Sequence, residues 1–450
     1  MLRSAVFAVL AGSALLPAAD YEVGIETAAI TPREPIYLSG YASRDRPSEG
    51  VLLDIKAKAM VIRDKAGARA AIVTMDLIGI PRALSDMVAA RVEKQYGIPR
   101  SHLLLNCSHT HTGPMIAGNL ENMFDLGPRD RRAVDDYARS LAETLVNLVG
   151  AAAGKLEPAV LSFGHGSAGF AINRRQPTAK GVVIGLNPDG PTDHDVPVLR
   201  VAAPDGRLRA VLFGYACHNT TLTGQFFHIS GDYAGFAQAE LEKAHPGAAA
   251  MFLELCAGDQ NPNPRSRQEY AERHGKELAE AVQRVLEGKL ARVSGPIRAA
   301  FRVTDLAFVH HTRSTFEAQV NDPAPQRARN ARRMLLAYDE NRPIRSYPYP
   351  VQAIAFGRDV TLVALGGEVV VDYSLRLKRE YGAKGLVVAG YSNDVMSYIP
   401  SKRILSEGGY EADDSMLYYG MPGRYRDDVE ERIFASLADV LRRVGRRRAL

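Results

Sequence analysis

Five apolar runs in this chain each stop at one chemically competent side chain, and this limits the fold more than any other feature. Ala-Ala-Ile-Val-Thr-Met runs into Asp76 and Leu-Leu-Leu-Asn-Cys-Ser into His109. Val-Leu-Phe-Gly-Tyr-Ala-Cys runs into His218, Met-Phe-Leu-Glu-Leu-Cys-Ala-Gly into Asp259, and Thr-Leu-Val-Ala-Leu-Gly-Gly into Glu368. Near-continuous apolar runs are the pattern of strands buried on both faces. In open α/β sheets ligands bind beyond the carboxyl ends of such strands. The strand-like runs cover residues 70–75, 103–107, 210–217, 249–255, 360–365 and 386–389. Helical patterns alternate with them at 84–96, 137–149, 233–244, 270–286, 327–338 and 430–444. In the second of these Tyr137, Leu141, Leu145 and Leu148 share one face. The expected fold is therefore α/β, with mixed β-sheets covered by helices and a metal site at the carboxyl ends of the strands.

The 450 residues, 46% apolar and 24% charged, are enough for one large α/β unit with a sizeable core. Residues 1–19 read as a secretory leader: Met1-Leu2-Arg3, an apolar run from Ala5 to Leu16, then the small residues Ala18 and Ala19. An uncleaved anchor is the alternative, although the run is short for a bilayer. Residues 20–450 are then expected to be a single catalytic domain, exported to the periplasm or secreted. The formal charge is +5, but Arg3 and the five arginines 442, 443, 446, 447 and 448 more than account for it. The basic pI thus belongs to a tail and does not describe a nucleic-acid surface. That tail is a candidate for peripheral contact with anionic membrane, or simply a solvated helix end. Cys107, Cys217 and Cys256 are an odd set in apolar runs, read as buried thiols and not as a disulfide framework. A metal-ligand role is the alternative, but Cys217 would face away from His218 on a strand.

His109-Thr110-His111 is the first chemical candidate. On a strand, residues at i and i+2 face the same side about 6.5 Å apart, and neutral imidazoles suit zinc. The metallo-β-lactamase pattern fails, because Gly113 and Pro114 stand where it needs Asp-His. An amidohydrolase barrel is disfavoured by the strand-like segments that precede the pair. His218 ends an apolar run in the same way. Glu368 follows two glycines, and its alternative reading is an acid in the first turn of a helix.

Ordered motifs extend this reading. Val23-Gly24-Ile25 to Ile30-Thr31-Pro32, Gly40-Tyr41-Ala42, Asn106 to Pro114 (Asn-Cys-Ser-His-Thr-His-Thr-Gly-Pro), Ile172-Asn173-Arg174, Gly258 to Asn263, and Tyr398 with Tyr410-Glu411 occur in this order. Together they resemble the neutral, non-lysosomal ceramidases over residues 20 to 420. The resemblance implies one Zn2+ per chain, held by His109, His218, Glu368 and Tyr398. It implies a reaction centre lined by His111, Arg174 and Tyr410, with His111 as the first choice for the general acid. Two departures are visible. The family's immunoglobulin-like C-terminal domain is not expected here, and Met115 and Ile116 stand where the family carries glycines, a change expected to bear on substrate entry. The implied function is a zinc-dependent amidohydrolase acting on ceramide or a related N-acyl lipid, releasing a fatty acid and an amine. The alternatives are a hydrolase of the same fold acting on a small polar amide or ester, and a non-catalytic exported lipid-binding protein.

Overall fold

The computed structural model describes residues 19–449, so the expected leader lies almost wholly outside the described part. Two sheets pack face to face. The larger runs in the order Ala249–Glu254, Leu208–Tyr215, Asp195–Ala202, Glu157–Ser167, Tyr21–Ala29, Lys56–Asp64, Arg69–Met75, Leu103–Cys107, with Ala291–Val293 added beside Glu157–Ser167. Its middle is antiparallel and its two end pairs are parallel. The smaller sheet runs Ile297–Ala307, Ser346–Phe356, Val360–Leu365, Leu386–Ala389.

Between the sheets lies one apolar layer. Met60, Ile72, Leu104, Leu161 and Leu253 of the larger sheet meet Ile354, Phe356, Leu362 and Val387 of the smaller. Helices cover the outer faces. Arg82–Tyr96 and Pro128–Ala153 sit on one half of the larger sheet, Asp232–Ala244 and Gln268–Glu287 on the other, and Val371–Tyr381 with Val429–Val444 on the smaller sheet. The strands are thus covered on both faces, but one face is covered by the opposite sheet and not by helices. Apolar runs report burial without saying what does the burying.

The larger sheet curls until its two end strands meet. The hinge of that closure is Asn106: its Oδ1 accepts the Glu254 N–H at 2.9 Å, and its Nδ2 donates to the carbonyls of Glu254 and Gly390 at 3.3 and 2.9 Å. The smaller sheet joins at the same place through bridges from Asn106 to Ser392 and from Leu255 to Ala389. The carboxyl ends of Leu103–Cys107, Leu208–Tyr215 and Val360–Leu365, far apart in sequence, therefore open onto one spot.

Two of the five run-ending residues serve the scaffold. Asp76 accepts from the Lys56 N–H and from Gln238, at 2.9 Å each. Asp259 accepts from the Val371 N–H at 2.8 Å, at the start of the helix Val371–Tyr381, and from Asn173 at 3.1 Å. All three cysteines are buried and free, with Cys217 inside an apolar cluster. In the basic tail Arg446 caps that same helix, donating to the carbonyls of Tyr381, Gly382 and Lys384 at 3.0, 2.8 and 3.0 Å. Arg448 pairs with Glu380, and Arg442 and Arg443 pair with Asp439. Among the described residues no helix is long and apolar enough to cross a membrane.

Candidate metal centre

The strand that leads to His109 ends at Cys107, and His109 itself has φ +61°. The expectation of two histidines on one strand face is therefore corrected. A left-handed residue turns the chain just past the strand end, and the turn brings the Nε2 atoms of His109 and His111 to 3.1 Å. An extended pair would hold its side chains about 6.5 Å apart. A non-glycine residue at positive φ is strained, and such strain collects at functional sites. Tyr391 and Asn393 beside the site share it, at φ +48° and +67°.

Six of the residues singled out by sequence are linked by contacts at hydrogen-bonding distance, His111 through His109 among them. Glu368 Oε2 lies 3.0 Å from His109 Nε2 and 2.9 Å from His218 Nε2. The Tyr398 hydroxyl lies 3.1 Å from His218 Nε2. Tyr398 arrives by backbone pairing: Glu368–Val369 and Tyr398–Ile399 form a short parallel ladder in which Glu368 and Tyr398 are partners. Glu368 thus belongs to a strand pair and not to the first turn of a helix. Arg174 enters from the strand Ala171–Thr178 and donates through Nη2 to the Tyr398 hydroxyl at 2.9 Å. Tyr410 packs its ring edge-on to Tyr398, with centroids 5.4 Å apart, and is half-buried at the mouth.

Can these donors hold a cation? His109 Nδ1 lies 2.6 Å from the Ile78 carbonyl and His218 Nδ1 lies 2.7 Å from the Ala257 carbonyl. A carbonyl only accepts, so each Nδ1 carries the proton, and in the neutral ring Nε2 is bare. Burial, with the Arg174 charge adding to it, pushes the His218 pKa down to about 3, which keeps that ring neutral. The Nε2 atoms of His109 and His218 then face one carboxylate oxygen about 3 Å away. Acceptors crowd this closely only when a proton or a cation lies between them. Histidines fixed by backbone carbonyls at the far nitrogen are the usual supporting arrangement around zinc. His109, His111 and His218, all buried, form a group that could hold a metal ion, with ligand atoms within 4.8 Å of one another. The donor set of imidazole and carboxylate suits a borderline metal such as zinc.

His111 differs from the other two. Burial, reinforced by His109 and His218, holds its pKa well below the usual value, so it is a neutral imidazole, and its Nδ1 is buried without a partner. Its backbone carbonyl accepts from Arg44 at 2.7 Å, and the Tyr41 ring lies 4.9 Å away. Gly40 has φ +95°, and a Cβ there would sit 2.4 Å from His111 Nδ1. Only glycine permits both the conformation and the approach, which gives the Gly-Tyr-Ala motif its reason.

Beneath the site Glu411 accepts from Arg174 Nε at 2.8 Å and from Arg175 Nη1 at 2.5 Å. Burial opposes its charge, but the two guanidinium groups outweigh burial and hold its pKa below the ordinary carboxylate value. Glu254 is wholly buried and accepts from the Cys217 N–H at 3.2 Å and Asn219 at 2.8 Å. Burial pushes its pKa well above the ordinary carboxylate value. The Asn219 carbonyl in turn accepts the His111 N–H at 3.2 Å. Met115 and Ile116 are fully buried in apolar clusters.

Tyr419 is a functional residue that no sequence pattern marked. Tyr419 donates its hydroxyl to Glu368 Oε1, the oxygen that the histidines leave free. No spacing or pattern pointed to it. Tyr419→Phe is expected to lower metal affinity about 10–100-fold, as losing such a supporting hydrogen bond typically does. Competition with a metal chromophore would measure this, and unchanged affinity would mean that the contact does not orient the carboxylate.

The sequence profile described as neutral/alkaline non-lysosomal ceramidase, N-terminal, matches residues 21–277, more than half the chain. The chain belongs to this family. Among ceramidase relatives, the neutral ceramidase of Pseudomonas aeruginosa is 28% identical over 287 residues, covering 58% of this chain and 41% of that protein. The neutral ceramidase of Mycobacterium tuberculosis is 26% identical over 246 residues, covering 50% of this chain and 37% of its own. The chain thus spans about two fifths of the length of these curated relatives. The crystal structure of the Pseudomonas aeruginosa neutral ceramidase superposes with a TM-score of 0.72 at 20% identity, over 96% of this chain and 76% of that one. That likeness establishes a ceramidase-family fold.

Proposed function

We propose that this chain is a zinc-dependent amidohydrolase that cleaves the N-acyl bond of ceramide or a related N-acyl lipid to a fatty acid and an amine. One observation carries the reading. Two imidazole Nε2 atoms converge on one carboxylate oxygen, 2.9 and 3.0 Å from it, beside a neutral histidine and a buried arginine. Family membership supplies the substrate class.

His109, His218, Glu368 and Tyr398 would hold the ion. Zinc bound there supplies Lewis acidity and lowers the pKa of water to about 7. The residues around it do the rest. Arg174 is anchored by Glu411 at 2.8 Å and presents Nη2 to the Tyr398 oxygen at 2.9 Å, so its charge favours negative oxygen at that position. Tyr410 and Arg174 would donate to the oxyanion that forms from the amide carbonyl; one such donor is worth about 3 kcal/mol. His111 is neutral, so it can take a proton from the attacking water and return it to the leaving amine nitrogen. Burial of the whole set strengthens each of these interactions. Export to the periplasm or beyond follows as a proposal from the leader-like start of the sequence.

The test is release of fatty acid from a fluorescent short-chain ceramide by purified protein, run beside a panel of small polar amides and esters. The expected result is turnover of the ceramide that chelation stops and added zinc restores. Turnover confined to the polar panel would keep the hydrolase and remove the lipid. Zinc binding with no turnover of any substrate would favour a binding protein.

A further inference from the structure

Eight large apolar side chains stand exposed among the described residues, and three of them fall in a single seven-residue strand. The strand is Gly181–Asn187, and the three are Val183, Ile184 and Leu186, 47, 50 and 55% exposed. It pairs antiparallel with Ala171–Thr178 and forms the edge of a three-stranded sheet. Ile184 and Leu186 point to one side and Val183 to the other, because side chains alternate along a strand. Apolar surface is therefore bare on both faces, as expected of a hairpin that projects into its surroundings.

Position gives the patch its meaning. Ile184 is the register partner of Arg175, the neighbour of Arg174 at the reaction centre. The Val182 backbone packs on Gly409, the residue before Tyr410; a Cβ on Gly409 would lie 3.0 Å from the Val182 oxygen. The apolar strand thus begins beside the half-buried Tyr410 at the edge of the site. Its base is held firmly. Arg175 binds Glu407, Glu411 and the Gly408 carbonyl, and Asn187 donates to the Arg175 carbonyl at 2.8 Å. From Gln176 to Pro188 the sole charged side chain is Lys180, exposed at the turn and paired with no carboxylate among the described residues.

We infer that the hairpin formed by Ala171–Thr178 and Gly181–Asn187 docks this protein onto an anionic lipid surface. Ile184 and Leu186 enter the acyl boundary and Lys180 meets the headgroups, setting the mouth at Tyr410 against the membrane. A bare apolar face with a lone cation at its tip suits such an interface, where apolar burial and attraction to anionic lipid add. The assignment rests on the lipid-substrate reading of the site. It differs from a contact through the basic tail, where four of the five arginines are bound within the chain.

The test is co-sedimentation of the full chain with phosphatidylcholine vesicles, with and without phosphatidylglycerol, in the absence of any substrate. Ile184→Ser combined with Leu186→Ser is expected to weaken partitioning about ten-fold or more on both. Lys180→Glu is expected to weaken it only where phosphatidylglycerol is present. All these variants should hydrolyse a monomeric, water-soluble N-acyl substrate at the wild-type rate. Wild-type protein that ignores vesicles would overturn the inference, as would a double variant that binds them as well as wild type. So would a wild-type dimer that the double substitution dissociates, because a second copy would then cover this face. Loss of vesicle binding with turnover intact counts for the hairpin and leaves the reading of the site untouched. Hairpin-dependent binding by a protein that hydrolyses no amide would keep the docking surface and remove that reading.

Discussion

His109→Ala and His218→Ala are each expected to strip the bound metal and lower kcat/KM about a thousand-fold or more, the scale of losing Lewis-acid activation of water. Each ring turns its Nε2 to the centre, 2.9 to 3.0 Å from Glu368 Oε2. Removing one ring leaves too few donors to outcompete bulk water for the ion. The fold should survive, although each change also orphans a buried carbonyl, at Ile78 or Ala257, at a cost of about 1–3 kcal/mol. Metal analysis and initial rates on protein checked by circular dichroism would measure the effect. A metal-free variant that keeps wild-type turnover would disprove the role of the centre.

The second large effect concerns stability. Glu411→Gln is expected to destabilise the protein by about 3–5 kcal/mol, the range for breaking a buried ion pair from one side. Arg174 and Arg175 are 4 and 2% exposed and share this one buried carboxylate, so Arg174 loses its carboxylate partner inside the protein and Arg175 is left with Glu407 alone. The sign with pH follows from the direction of the shift. The folded state holds the Glu411 pKa below the ordinary value of 4.5, so its contribution is fully present above that value and is lost as pH falls through the depressed one. The gap in unfolding free energy between wild type and Glu411→Gln should therefore be widest near neutrality and narrow in acid. Denaturant unfolding at several pH values would show it, and a gap that does not change with pH would mean that Glu411 is not acting as a charge.

His109 and His218 were legible because an imidazole placed directly after an apolar run is a local pattern. Glu368 was only half legible. Its ladder with Tyr398 joins residues thirty positions apart, and local sequence cannot separate that pairing from the start of a helix. Tyr398 and Arg174 came from resemblance alone, since tyrosine is an uncommon ligand and this chain has many arginines. Tyr419 gave no usable sign, and Asn106 and Glu254 stood in recognised segments that did not reveal what they do. Each matters through contacts that exist only once the two end strands meet and the second sheet lies against the first. The spacing argument for His109 and His111 found the right pair with the wrong geometry, because strand periodicity does not anticipate a left-handed residue. Face-to-face sheet packing was likewise hidden, since Leu104 and Leu362 would be equally apolar beneath a helix.

The most direct test of the metal centre is zinc-edge anomalous diffraction from crystals of the protein, with quantification of zinc per chain. The account predicts one zinc per chain, with a single strong peak bounded by His109 Nε2, His218 Nε2, Glu368 and the Tyr398 hydroxyl. No peak at that position after zinc soaking, in a protein that still cleaves its amide in chelator, would contradict it.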